Sequence, residues 1–428
     1  MATPWKSRYA QRTQRMGRSI IRELLKLTMQ PDLISFAGGL PASELFPVER
    51  CREAACRILA EQSDSALQYG PTEGYLPLRQ LICDRMYRYG INAEPANVLI
   101  TNGAQQALDL IGKLLINPGD RILVEEPTYL GALQAWNSYQ AEYVSVQSDD
   151  NGLRTDLLES ALRVGPKFLY VLPNFQNPGG TTLPLERRQD LVRLSNKYGI
   201  PIVEDDPYGA LRFEGEHIPP LVALDSAHQN AAGLNGRGFM EGNVIYLGTM
   251  SKMMAPGLRL GWVVAPVEVV DQLVMMKQGT DLHSSSFSQM LAYEVAKDGF
   301  LDDHVRVIRR VYRERRDVML AALERHFPEG CSWTHPDGGL FLWARVPEWI
   351  DTAELLKEAV AHKVAYVPGS AFFVDPDLGH NTMRLNFSCA QPAQIEDGIR
   401  RLGDLLIQAV AAHAAPVEQV PAEVIAAQ

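Results

Sequence analysis

The chain has 428 residues, 46% hydrophobic and 21% charged, which is ordinary for a globular protein and far from the disordered or fibrous classes. A formal net charge of -10 argues against nucleic-acid or membrane-surface partners, and no apolar run approaches the roughly 20 residues of a bilayer span. Five cysteines without a CxxC pair read as reduced thiols in a cytoplasmic protein, with Cys51, Cys56 and Cys83 in helical patterns as core packing.

Residues 1–50 read as an arm and part of a small domain. Met1-Ala-Thr-Pro-Trp-Lys lacks the apolar core of a signal peptide. Ser19 is placed to cap a helix over 20–27, whose polar face carries Arg18, Arg22 and Lys26. A short strand over 34–36 then runs into the loop Ala37-Gly-Gly-Leu-Pro41, which contains Gly39. Residues 51–295 alternate short apolar strands (98–100, 121–124, 168–172, 202–204, 244–247, 260–264) with helical stretches, one beginning near Pro184 and ending at Gly199. That alternation predicts an α/β fold, a mostly parallel sheet covered by helices on both faces. Residues 226–242 read as a long surface loop. A helical pattern over 288–326 leaves the sheet and begins a smaller α+β domain, residues 296–428, with strands at 339–344 and 383–387. The Ala- and Pro-rich tail after about 411 is expected to fray.

Ligands in such sheets bind beyond the carboxyl ends of the strands, and the polar motifs fall there. Asn102-Gly-Ala-Gln105 opens an amphipathic helix whose free N–H groups suit a phosphate, and it fits a plain strand–helix turn equally well. Tyr129 stands just past the strand at 121–124, where a rim tyrosine is the bland reading. Pro173-Asn-Phe-Gln-Asn-Pro-Gly-Gly180 is a turn that needs no function. Glu204, Asp205 and Asp206 follow another strand; a divalent cation there would lack both EF-hand spacing and a nearby His. The elbow Thr249-Met-Ser-Lys-Met-Met-Ala-Pro-Gly-Leu-Arg259 is the most telling stretch. Two hydroxyls, a bidentate-capable arginine and a lysine at a buried strand end suit a phosphate site beside an amine free to attack a carbonyl, although Lys252 taken alone reads first as a solvated surface lysine. A Ser-x-x-Lys hydrolase would need Ser at 249, which is Thr, and no Lys-Thr-Gly partner is present.

Taken together and in this order, the motifs resemble the pyridoxal-phosphate (PLP) aminotransferases of fold type I over most of the chain. The resemblance implies Lys252 as the Schiff-base lysine and catalytic base. It implies Tyr129 stacked on the pyridine ring, Asp205 paired with the ring nitrogen, and Asn177 and Tyr208 on the ring hydroxyl. Gly103, Ala104, Gln105, Thr249, Ser251 and Arg259 would hold the phosphate, with Tyr69 reaching in from the second subunit of a homodimer. Gly39, Asn177 and Arg384 would meet the substrate, Arg384 through its carboxylate. Gly179 departs from the family's Asn-Pro-Thr/Ser-Gly. The nearest branch is that of the 2-aminoadipate and kynurenine enzymes, carried by Ser19-Ile-Ile-Arg-Glu-Leu-Leu-Lys-Leu27 and Ser35-Phe-Ala-Gly-Gly-Leu-Pro41. There, Arg22 would meet a distal carboxylate; on residues alone it is a solvated arginine. The implied reaction is ping-pong amino transfer from 2-aminoadipate, leucine, aromatic amino acids or kynurenine to 2-oxoglutarate. The alternatives are another PLP reaction on this fold (β-lyase, decarboxylase, racemase) or a PLP-sensing regulator, which needs a DNA-binding segment ahead of the Gly38-Gly39 loop.

Overall fold

The computed structural model describes residues 3–17, 32–231 and 241–414. The expected helix over 20–27, with Arg22, lies outside the described residues.

An eight-stranded sheet organises the chain. Edge to edge its strands are Val98–Thr101, Gly261–Val264, Val244–Thr249, Ile202–Asp205, Leu169–Val171, Arg121–Glu126, Glu142–Asp149 and Gly152–Leu153. Neighbours are parallel except for Gly261–Val264, antiparallel to both sides, and the short edge strand Gly152–Leu153. The central strands are short and apolar because both faces are covered. Successive residues therefore enter two different cores, as the two-residue period of a strand requires. Leu99, Val124, Tyr170, Val203, Leu247 and Val263 join one, and Ile100, Leu123, Val171, Ile202, Tyr246 and Val264 the other.

The first core also receives the helices Gly103–Leu115 and Leu130–Asn137, and it continues into a four-stranded antiparallel sheet. That sheet is ordered Ser332–Trp333, Phe341–Arg345, Thr382–Asn386, Val367–Pro368. The second core receives Leu76–Tyr87 and Leu185–Tyr198. A separate two-residue strand, Ile34–Ser35, pairs with Val364–Ala365, so the loop at Gly39 returns across the molecule to the small sheet.

Four expectations are corrected. The stretch 226–242 is not loop throughout, because the helix Leu221–Ala231 runs into it. Two polar residues of that helix, Asp225 and Gln229, turn inward, and Asp225 accepts from Asn196 and the Asn243 backbone. The pattern over 288–326 is two helices, Ser286–Ala296 and Phe300–His326, broken at Gly299, whose φ of +80° no other residue adopts cheaply. The last helix, Pro392–Ala414, runs past 411. Of the helical cysteines only Cys83 is buried, while Cys51 is half-buried and Cys56 exposed. No helix among the described residues is long and apolar enough to cross a membrane.

Candidate active site

A cavity of about 530 Å³ opens at the carboxyl ends of the central strands, walled by the small sheet on its far side. Its lining includes Gly39, Ala104, Gln105, Tyr129, Asn177, Asp205, Tyr208, Thr249, Ser251, Lys252, Arg259 and Arg384. The sequence motifs, spread over some 350 residues, thus converge on one space. Two expected members do not line it, and a third, Arg22, cannot be placed because it is not among the described residues. Gly103 lies just behind, against the Arg259 guanidinium. Tyr69 is 78% exposed, and its ring meets that of His283 edge-on at 5.8 Å.

One end of the cavity is built for an anion. Gly261 follows Arg259 back into the sheet, and a Cβ there would stand 2.6 Å from the Gly103 carbonyl carbon. Only glycine lets this strand pass so close beneath the start of the helix Gly103–Leu115. Thr249 Oγ1 and Ser251 Oγ lie 3.0 Å apart at the end of the neighbouring strand. The Arg259 guanidinium donates only long bonds, to the Asn102 carbonyl at 3.3 Å and the Pro256 carbonyl at 3.4 Å. No carboxylate among the described residues pairs with it. Helix N–H groups, two hydroxyls and an uncommitted guanidinium form a cradle of the chemistry that suits an anion such as a phosphate.

The middle holds a buried carboxylate with one oxygen free. Asp205 is buried, and its Oδ1 has no hydrogen-bond partner. Burial raises its pKa to about 7, against the lowering effect of a hydrogen bond from Tyr170. Its neighbours are differently occupied. Alternation along the strand sends Glu204 to the opposite face, where it accepts the Leu221 and Val222 backbone N–H groups at 2.8 and 2.9 Å. Asp206 accepts from Asn174, Gly209 and Tyr246. The three carboxylates do not converge, so the cation-site alternative has no geometry to support it.

Lys252 Nζ donates to the Gly39 carbonyl at 2.7 Å. Its side chain keeps some exposure through the cavity mouth, but the amine is surrounded by protein. Burial, then the positive charges of Arg384 and Arg259, outweigh Cys389 and lower its pKa to about 8. Arg384, 1% exposed, donates to Asn177 Oδ1 at 2.8 Å and the Ala37 carbonyl at 2.7 Å. Its Nε has no partner, and the guanidinium stands 4.2 Å from the Phe341 ring centroid and 5.0 Å from that of Phe372. No carboxylate among the described residues answers this cation, and burial lowers its pKa to about 10.

Sequence reasoning missed Leu40, Leu108 and Phe341, which line the cavity, and Tyr170 and Phe372 behind it. These are apolar or aromatic residues in helices, strands and short turns, with no local signal that separates them from core.

PLP has a phosphate arm, a ring nitrogen that takes a proton, and an aldehyde for an amine. The cradle, the unpartnered oxygen of Asp205 and the low-pKa lysine match these in turn. The family model for aminotransferase class I and II matches residues 31–402. The aromatic-amino-acid aminotransferase 1 of Thermococcus litoralis is 46% identical over 405 residues, covering 93% of this chain and 94% of that one. The 2-aminoadipate transaminase of Thermus thermophilus is 43% identical over 403 residues, 94% of this chain and 97% of its own length. Among solved structures, the alpha-aminoadipate aminotransferase of Thermus thermophilus, in complex with N-(5'-phosphopyridoxyl)-L-leucine, superposes with a TM-score of 0.87. It is 40% identical and covers 96% of this chain and 100% of that one. With this cavity and these likenesses, the chain belongs to the class I and II aminotransferases and is a transaminase that works with pyridoxal phosphate.

Proposed function

We propose that the protein moves the amino group of an L-amino acid to 2-oxoglutarate in a ping-pong reaction, with 2-aminoadipate, leucine, aromatic amino acids and kynurenine as its range of donors. The observation that carries the reading is Arg384. A buried guanidinium held by two neutral acceptors, with free Nε and two phenyl rings beside it, is short of an anion, and an α-carboxylate supplies one bidentately. The rest of the lining is mixed. Leu40, Leu108 and Phe341 suit an apolar side chain, which agrees with donors beyond the acidic ones.

When bound, PLP supplies an electron sink for charge left at Cα after proton loss. The chain's own residues do the remaining work. Asp205 keeps the ring nitrogen protonated, and Asn177 and Tyr208 face the ring hydroxyl. Tyr129 covers the ring. Thr249, Ser251, Arg259 and the first N–H groups of the Gly103 helix grip the phosphate. Arg384 orients the substrate so that the Cα–H points at Lys252 Nζ, which accepts that proton and later returns it. An amine with a pKa near 8 suits that exchange near neutral pH.

The same reading includes a cytoplasmic homodimer in which Tyr69 reaches the phosphate of the second subunit; its exposure leaves it free to do so. It also divides the chain into an arm of residues 1–50, a PLP-binding domain of 51–295 and a small domain of 296–428. A panel of L-amino acids with 2-oxoglutarate as acceptor tests it. Glutamate should form with 2-aminoadipate and with at least one apolar donor. Loss of the donor without glutamate formation would instead mark a lyase, decarboxylase or racemase.

A further inference from the structure

The two oxygens of Asp205 are in unlike situations. Oδ2 accepts from the Tyr170 hydroxyl at 2.8 Å, while Oδ1 is buried without a partner. The parallel register sets Tyr170 beside Val203, so its ring shares a sheet face with Asp205, two residues further on. Tyr170 is fully buried, and Trp136 meets its ring edge-on at 5.1 Å. Trp136 is itself pinned, its Nε1 donating to the Leu108 carbonyl at 2.8 Å. The phenol makes no other hydrogen bond among the described residues, so its geometry serves Asp205 alone. Burial and the carboxylate hold its pKa well above the ordinary value, and it remains a donor at any working pH.

We propose that Tyr170 is a positioning residue for the cofactor. Its hydroxyl occupies Oδ2, fixes the plane of the Asp205 carboxylate and leaves Oδ1 as the one acceptor for the ring nitrogen. The proposal rests on the reading of Asp205 given above. Two effects follow from one hydrogen bond. The carboxylate cannot rotate to present a bonded oxygen, and its ionised form is favoured where burial alone would favour the neutral acid. A neutral Asp205 could not hold a protonated ring nitrogen. Tyr170 thus keeps the pair intact to lower pH.

The test titrates apoprotein with pyridoxal 5'-phosphate and follows the dissociation constant against pH. Tyr170→Phe, which removes one oxygen and keeps the ring, should weaken binding about tenfold. It should also raise the pH at which acid releases the cofactor. In an Asp205→Asn background the same change should have no effect on the dissociation constant, because the group it acts through is gone. Site-specific 3-fluorotyrosine at 170, a stronger donor of nearly the same shape, should move acid release to lower pH; it also serves if the phenylalanine variant does not fold. Unaltered affinity and pH dependence in the Tyr170 variants would overturn the proposal. So would an equal loss in both backgrounds, which means packing alone. If Asp205→Asn by itself leaves cofactor binding untouched, the Asp205 assignment fails, and the Tyr170 proposal with it.

Discussion

Two arginines, Arg188 and Arg384, are almost completely buried, at 0% and 1% exposure, and burial brings both to a pKa of about 10. Their surroundings make opposite use of that charge. Arg188, in the helix Leu185–Tyr198, makes five hydrogen bonds, to the carbonyls of Leu183, Ile218, Pro219 and Pro173 and to Asn174 Oδ1. Each of its nitrogens has a partner, and the bonds tie down the backbone of the loop that carries Asn177. Arg384 has two bonds, a vacant Nε and an aromatic wall. Burial does not distinguish a structural cation from a binding one. The count of satisfied donors does, since an unmet buried donor is an energetic debt that only a ligand can settle.

The largest break in this contrast comes from the cavity's lysine. Lys252→Ala should abolish turnover while the phosphate contacts still retain PLP, and borohydride should fix the cofactor to Lys252 in the native protein, as read by peptide mapping. Labelling of a different lysine would remove the basis of the assignment. The apoprotein should also capture PLP faster as pH rises through about 8, where the buried amine becomes neutral and nucleophilic.

The two arginines should then separate by readout. Arg188→Met should lower the unfolding free energy by about 3 kcal/mol in urea titrations, because several buried carbonyls lose their donors. Its KM for amino acids should remain near that of the native enzyme. Arg384→Lys should do the reverse: stability changes little, and kcat/KM falls by about 100-fold, ~2.7 kcal/mol, because a point charge replaces a planar fork. A KM effect in Arg188→Met as large as that in Arg384→Lys would erase the distinction.

The smallest effect concerns a cation outside the described residues. Arg22→Ala should raise KM for 2-aminoadipate and glutamate by about tenfold or more, and leave leucine and phenylalanine nearly unchanged. Equal weakening of all donors would make Arg22 a structural residue.

The residues proposed to meet the cofactor were legible as a set and not one by one: Lys252, Arg259, Asp205, Tyr208 and Asn177 belong to short motifs at strand ends, each with a bland reading of its own, and their order along the chain carries the resemblance. The parallel sheet was legible too, because strands buried on both faces read as unbroken apolar runs between helical patterns. Tyr170 was not legible. A tyrosine inside an apolar strand reads as core, and only the register against Ile202–Asp205 brings its hydroxyl to the carboxylate. The same holds for Phe341 and Phe372, which flank Arg384 from a strand and a turn distant from the motif elbow. Arg188 and Arg384 show the limit most plainly: Arg188 stands among charged and polar residues in Leu185-Glu-Arg-Arg-Gln-Asp190 and Arg384 between Met383 and Leu385, yet both are buried. Local sequence determined which groups could carry charge and where the strands would end. Tertiary packing decided which buried charges were answered and which were left for a ligand, because donor satisfaction depends on contacts between residues far apart in the chain.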